Sequence, residues 1–130
     1  MRAFAKRVGA VLAIAAACAV VPANAARDAQ AALPPRAEIL VFEREACAYC
    51  VRFRDEIATR YRGSPAAFDV PMRFVDVDHA EPAALGLKSR LTMLPTAVLI
   101  HEGREVDRIA GYTGPETFFT LVKHLIDRLP

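Results

Sequence analysis

Two cysteines, Cys47 and Cys50, stand two residues apart in a chain of 130 residues. A pair at this spacing can exchange disulfides, because one thiolate attacks a foreign disulfide and the second thiol then displaces the partner. The pair follows an apolar run and opens a segment of helical periodicity, so it lies at a predicted helix N-terminus. Free N–H groups and the helix dipole stabilise a thiolate there, relative to a free cysteine with a pKa of ~8.5. The motif predicts Cys47 as the attacking thiol and Cys50 as the resolving thiol.

A close cysteine pair can also bind zinc or attach haem, but each of these uses needs further ligands near the pair in sequence. A zinc site would need two more ligands, and His79, His101 and His124 are widely scattered. Haem attachment would need a histidine directly after the second cysteine, where Val51 stands. We therefore expect no cofactor and no metal at a redox pair. A purely structural disulfide, an adaptor, or a metal carrier that uses two thiolates stay open as non-enzymatic alternatives.

The first 25 residues have the three-part pattern of a secretory signal peptide. Basic residues up to Arg7 precede an apolar run at 8–21, and Ala23–Ala25 forms an A-x-A cleavage site. The run of 14 residues is shorter than the ~20 that a membrane-spanning helix needs. We expect residues 1–25 to be cleaved and the protein to be periplasmic, without stable membrane insertion after cleavage.

Cleavage would change both the charge and the cysteine count. Three of the 17 basic residues and none of the 15 acids precede the site, so the remaining 105 residues carry a formal charge of −1. Nothing in that balance favours a nucleic-acid partner. Cys18 would also be removed, leaving Cys47 and Cys50 in a compartment where disulfides form.

The rest of the chain alternates apolar runs with helical periodicity. Residues 26–37 form a loose lead-in, and residues 38–130 a single domain. Strands are predicted at Glu38–Phe42, Met72–Val77, Thr96–Ile100 and Arg104–Ala110, with helices from Cys47 to Gly63, Glu81 to Leu87 and Pro115 to Leu129. A crossover joins the first two strands and a tight turn the last two. The order predicts an α/β domain, with a four-stranded mixed sheet and helices on both faces.

Two separated motifs then resemble the thioredoxin superfamily. The first is Cys47-Ala48-Tyr49-Cys50 after a buried strand, and the second is Leu94-Pro95-Thr96 before an apolar strand. The ending Gly103–Tyr112 and the aromatic residue in the first motif resemble the small exported thioredoxins of bacterial sulfur-oxidation systems. The likeness runs from Glu38 to Leu129.

This resemblance implies a minimal thioredoxin fold in which Pro95 is cis and faces the cysteines. Client proteins with disulfides would pair with the Leu94 backbone and touch Tyr49, and Tyr112 would border the same face. The resemblance also implies a reductant supplied by a membrane thiol donor. Oxidase or isomerase activity stays open, because local electrostatics sets the reduction potential. The sequence departs from the family at Val41, where thioredoxins carry a buried acid.

Overall fold

The computed structural model describes residues 35–130. The predicted signal peptide and most of the predicted lead-in lie outside the described residues. The strands are β1 (Ala37–Glu43), β2 (Met72–Asp76), β3 (Thr96–His101) and β4 (Arg104–Ala110). The helices are α1 (Ala48–Phe53), α2 (Thr59–Arg62), α3 (Ala66–Asp69) and α4 (Pro115–Ile126), with a π-helical turn at Arg54–Ala58 and a 3-10 helix at Pro82–Leu85.

The four strands form one mixed sheet in the order β2-β1-β3-β4. β1 and β2 run parallel, whereas β3 is antiparallel to both β1 and β4. A parallel pair needs a crossover, and the helical segment at 48–62 supplies it. The hairpin between β3 and β4 turns at Glu102 and Gly103, which have φ of 49° and 74°. The predicted sheet, its mixed pairing and its class are confirmed.

The continuous segment from α1 through the π-helical turn to α2, residues 48–62, is called the active-site helix below. Its apolar stripe of Cys50, Phe53, Ile57 and Tyr61 is buried. The stripe packs with α4 on the sheet face that carries Ile39 and Val41. A π turn spans more residues than an α turn, which suits the spacing of four between the last three stripe residues. The apolar spacing predicts one regular helix here, whereas the structure contains a wider turn at Arg54–Ala58.

The second sheet face is covered by shorter structure. Leu40 and Phe42 of β1 form a core there with Val75 and Val98, and Leu85 and Leu94 pack against it. The helix predicted on this side is present as the 3-10 helix Pro82–Leu85. Alternation along β1 sends odd-numbered residues to the active-site helix and even-numbered residues to this second face. Both layers of the predicted architecture are therefore present.

Candidate active site

Cys47 and Cys50 lie at the start of the active-site helix and are joined by a disulfide, with their Cα atoms 5.2 Å apart. Cys47 is the N-cap residue, and its Sγ accepts a hydrogen bond from the Cys50 N–H at 3.2 Å. The same donor would stabilise a Cys47 thiolate after reduction. Cys47 is partly exposed, whereas Cys50 is 2% exposed. An incoming disulfide can therefore reach Cys47 much more easily than Cys50.

The arginines nearest the pair in sequence are each matched by a carboxylate. Arg44 donates to both oxygens of Asp78, at 2.8 and 3.0 Å. Arg52 donates to Glu56 at 2.9 Å, one turn further along the active-site helix. The neighbouring carboxylates thus offset the positive charge that these arginines bring to Cys47, and the N-cap hydrogen bond is the direct contact that favours a thiolate.

The second motif lies at the same end of the sheet as the cysteines. Phe42, near the end of β1, pairs with Thr96, the first residue of β3. The loop that follows β1 therefore lies beside the segment that leads into β3. The peptide bond between Leu94 and Pro95 is cis. In residues 35–130 the Leu94 backbone makes no hydrogen bond to another backbone group. Its N–H and C=O are therefore available to an extended peptide.

A buried ion pair anchors the loop at 86–95 that leads into this cis bond. The Arg108 guanidinium donates to both oxygens of Glu105 at 2.6 Å, and the Lys88 backbone N–H donates to Glu105 at 2.7 Å. Arg108 also donates to the carbonyls of Ser89 and Arg90. Burial would raise the pKa of Glu105, but these donors outweigh burial and lower it. Sequence reasoning missed this anchor, because a charged pair three residues apart in a strand reads as exposed.

The sequence predicts two tyrosines near the site, Tyr49 and Tyr112, and they differ in exposure. Tyr49 is 63% exposed between the cysteines. The Tyr112 ring is buried against Phe53, and its hydroxyl donates to Glu56. Burial and that hydrogen bond raise the pKa of Tyr112 to about 12. Tyr112 therefore packs inside the fold and does not present its ring at the surface.

Among residues 35–130, no group of three or more His, Cys, Asp or Glu side chains is placed to hold a metal ion. No helix within that range combines the length and the hydropathy that crossing a membrane requires.

Comparison with solved structures finds several thioredoxins. The periplasmic thioredoxin SoxS from Paracoccus pantotrophus, in its reduced form, is 31% identical with a TM-score of 0.65, covering 70% of this chain and 96% of that one. Thioredoxin from Fasciola hepatica is 29% identical with a TM-score of 0.53, covering 69% and 82%. Trxlp from Edwardsiella tarda is 25% identical with a TM-score of 0.54, covering 78% and 93%.

The comparison of sequences gives a family assignment. No curated protein matches the chain. The thioredoxin-like domain family matches residues 24–126, which is most of the chain. The cysteine pair at disulfide distance, the mixed four-stranded sheet and this match agree with one another. The protein belongs to the thioredoxin-like domain family.

Proposed function

We propose that this protein is an exported thiol–disulfide oxidoreductase that reduces the disulfides of client proteins in the periplasm. The observation that carries the proposal is the unequal access to its two sulfurs. Cys47 is partly exposed and accepts an N-cap hydrogen bond, whereas Cys50 is 2% exposed. Such a pair suits an attacking thiol followed by a resolving thiol.

The proposed reaction has two exchange steps. The Cys47 thiolate attacks a client disulfide, forms a mixed disulfide and releases one client thiolate. The Cys50 thiolate then attacks Cys47 Sγ and releases the second client thiolate. Two electrons pass to the client, and the Cys47–Cys50 disulfide remains. We propose that a thiol donor in the membrane reduces that disulfide again.

We propose that client recognition uses Tyr49, Leu94 and Pro95. An extended client segment would form hydrogen bonds with the free N–H and C=O groups of Leu94, next to the loop that joins β1 to the cysteine pair (the cysteine loop). Tyr49 is exposed between the cysteines, where a client side chain would pack on its ring. The likeness to a protein described as a periplasmic thioredoxin supports the same compartment here, together with the signal peptide expected at residues 1–25.

Substitution of each cysteine tests the proposed order of attack. Cys47→Ser should abolish insulin reduction, because serine is not a nucleophile toward disulfides. Cys50→Ser should accumulate mixed disulfides, detected on non-reducing gels and by mass spectrometry, because Cys47 still attacks but nothing resolves the product. The Cys47→Ser/Cys50→Ser double variant is the control and should trap nothing. Full insulin reduction by Cys47→Ser would rule the mechanism out.

The direction of electron flow is tested by equilibration with glutathione. A reductant should have a potential nearer the roughly −270 mV of thioredoxin than the roughly −120 mV of a dedicated oxidase. A potential at the oxidising end would assign the same pair to disulfide formation. Tight zinc or copper uptake without exchange activity would instead support a metal carrier.

A further inference from the structure

A recess opens beside the buried resolving cysteine. It has a volume of about 410 Å³ and lies between the end of β1, the following loop, the start of the active-site helix and the end of β2. Its lining includes Glu43, Cys50, Arg54 and Asp76. We call it the Cys50 recess. Cys50, which is only 2% exposed, thus borders a space that solvent can enter.

Cys50 must lose a proton before it can attack, because the thiolate is the nucleophile. Burial opposes that loss, since it disfavours the charged form. On the face of β1 that packs against the active-site helix, the residue before Glu43 is Val41, which is fully buried and cannot accept a proton. We therefore look for the acceptor among the carboxylates that line the recess with Cys50.

Three carboxylates line the recess, those of Glu43, Glu45 and Asp76, and they differ in exposure and in the hydrogen bonds that their oxygens accept. Asp76 Oδ1 accepts the Asp78 backbone N–H, and Oδ2 lies 2.9 Å from His79 Nδ1. These hydrogen bonds lower the pKa of Asp76, which makes it a weak proton acceptor. Glu45 also lines the recess, but it is exposed on the loop and is solvated.

Glu43 is arranged differently. Its Oε1 pairs with Arg54, and within residues 35–130 its Oε2 has no hydrogen-bond partner. Its side chain is 19% exposed, so it is partly shielded from solvent. Arg54 is itself held in place, with its guanidinium carbon 3.8 Å from the centre of the Phe74 ring. One oxygen of Glu43 is thus paired with Arg54, and the other accepts no hydrogen bond within residues 35–130, on a side chain that lines the recess.

We propose that Glu43 accepts the proton of Cys50 during resolution of the mixed disulfide. The proton passes from the Cys50 thiol to Glu43 Oε2, directly or through water in the recess. The resulting thiolate forms the bond to Cys47 Sγ, and the client sulfur leaves with the electron pair of the broken bond. Glu43 then returns the proton to solvent. This assignment rests on the function proposed above.

Single-turnover reaction of the reduced protein with dithiobis(nitrobenzoate) tests the assignment. Attack by Cys47 releases one coloured thiolate at a rate that depends on reagent concentration, and attack by Cys50 releases the second at a rate that does not. In Glu43→Gln we expect the second phase to slow by about tenfold or more near neutral pH. The rate should recover as the pH rises toward and above the ordinary thiol pKa of ~8.5.

The direction of the effect separates proton acceptance from simple electrostatics. Glu43→Gln removes a negative charge and leaves the Arg54 cation unbalanced, while Asp76 and Arg44 are unchanged. Both changes stabilise a Cys50 thiolate, so an electrostatic role alone would speed the second phase. Loss of a proton acceptor slows it. A second phase as fast as in the wild type, or faster, would overturn the proposal.

Matched variants complete the experiment. Glu38→Gln breaks a comparable ion pair, Glu38 with Arg73, at the opposite end of β1 and should leave both phases unchanged. Glu43→Asp keeps a carboxylate at the same position and should be slowed by only about two- to fivefold. Were Glu43→Gln unable to fold, an unslowed Glu43→Asp would still overturn the assignment. A wild-type protein that gives no second phase would refute the proposed function itself, whereas normal phases in every variant would refute only the role of Glu43.

Discussion

At the scale of single residues, the chemistry depends on differences within one short motif. Cys47 is partly exposed and has a backbone N–H donor at its sulfur, whereas Cys50 is 2% exposed and its sulfur has no such donor within residues 35–130. Tyr49 stands between them and is mostly exposed. One turn of helix thus carries an accessible sulfur, an exposed aromatic ring and an enclosed sulfur. The proposed function assigns attack to Cys47, recognition to Tyr49 and resolution to Cys50.

The role proposed for Tyr49 can be separated from stability. Tyr49→Ala should change the free energy of unfolding by less than about 0.5 kcal/mol, because the ring is exposed. The KM for a protein disulfide such as insulin should rise about fivefold, equivalent to about 1 kcal/mol of lost contact. The first phase of reaction with dithiobis(nitrobenzoate) should not change.

Phe68→Ala is the matched control for Tyr49→Ala. Phe68 is a 91% exposed aromatic residue on α3, beyond the other end of the active-site helix. It should leave the KM for insulin unchanged. An equal rise in KM for both variants would mean that Tyr49 is no special contact for clients.

At the scale of elements, side chains of β4 hold the loop that precedes β3. Glu105 and Arg108 of β4 hold the loop through its backbone, at Lys88, Ser89 and Arg90. Gly86 lies so close to the β4 hairpin that a Cβ there would be 2.1 Å from the Gly103 carbonyl oxygen. The position of Leu94 therefore depends on side chains that take no part in the chemistry.

Neutralising Glu105 should change how the free energy of unfolding depends on pH. Glu105→Gln should cost about 3 kcal/mol at neutral pH, because it leaves the mostly buried Arg108 without its charge partner. The folded-state pKa of Glu105 lies below its ordinary value of 4.5. Its contribution is therefore present above that value and is lost as the pH falls through the folded-state pKa. Urea unfolding across the acid range should show a shallower loss of stability in the variant than in the wild type.

Hydrogen exchange can show where that loss acts. In Glu105→Gln, amide exchange should accelerate at residues 88–94 but not in α4. Glu102→Gln, which breaks an exposed pair with Arg36, should stay within about 0.5 kcal/mol of the wild type. Uniform acceleration throughout the domain would mean that Glu105 supports the whole fold rather than this loop.

At the scale of the whole molecule, one sheet end carries everything that the proposed reaction uses. β1 ends and β3 begins there, since they are antiparallel neighbours, and β2 ends beside β1 because the two are parallel. The cysteine loop, the cis bond and the Cys50 recess meet at this end. The rest of the domain supplies the apolar core that holds those strand ends in register.

If the chain is exported as proposed, its N-terminus should be cleaved after Ala25. Expressed in a Gram-negative bacterium, the protein should be recovered from the periplasmic fraction with Ala26 as its first residue, as determined by mass spectrometry. Ala25→Phe should block processing, because signal peptidase requires a small residue at that site. Recovery of the wild-type chain from the cytoplasm with residues 1–25 attached would contradict the signal peptide.

Much of the fold could be predicted from local patterns. Alternation and continuous apolar runs identified the four strands, and β4 begins and ends at the predicted residues. The stripe of Cys50, Phe53, Ile57 and Tyr61 identified the buried face of the active-site helix. The short helix α3 escaped prediction, because none of its four residues is buried and it leaves no periodic signal.

The sequence by itself determined the reactive pair, the order of the elements and the face that each apolar stripe buries. These properties are encoded locally, because spacing along the chain sets which side chains share a face. Only the tertiary structure decided that Tyr112 turns inward, that Glu105 anchors a loop at Lys88, 17 residues earlier in the chain, and that Glu43 lines the recess beside Cys50. Those relations join groups distant in sequence, and the packing of strands and helices brings them within reach of one another.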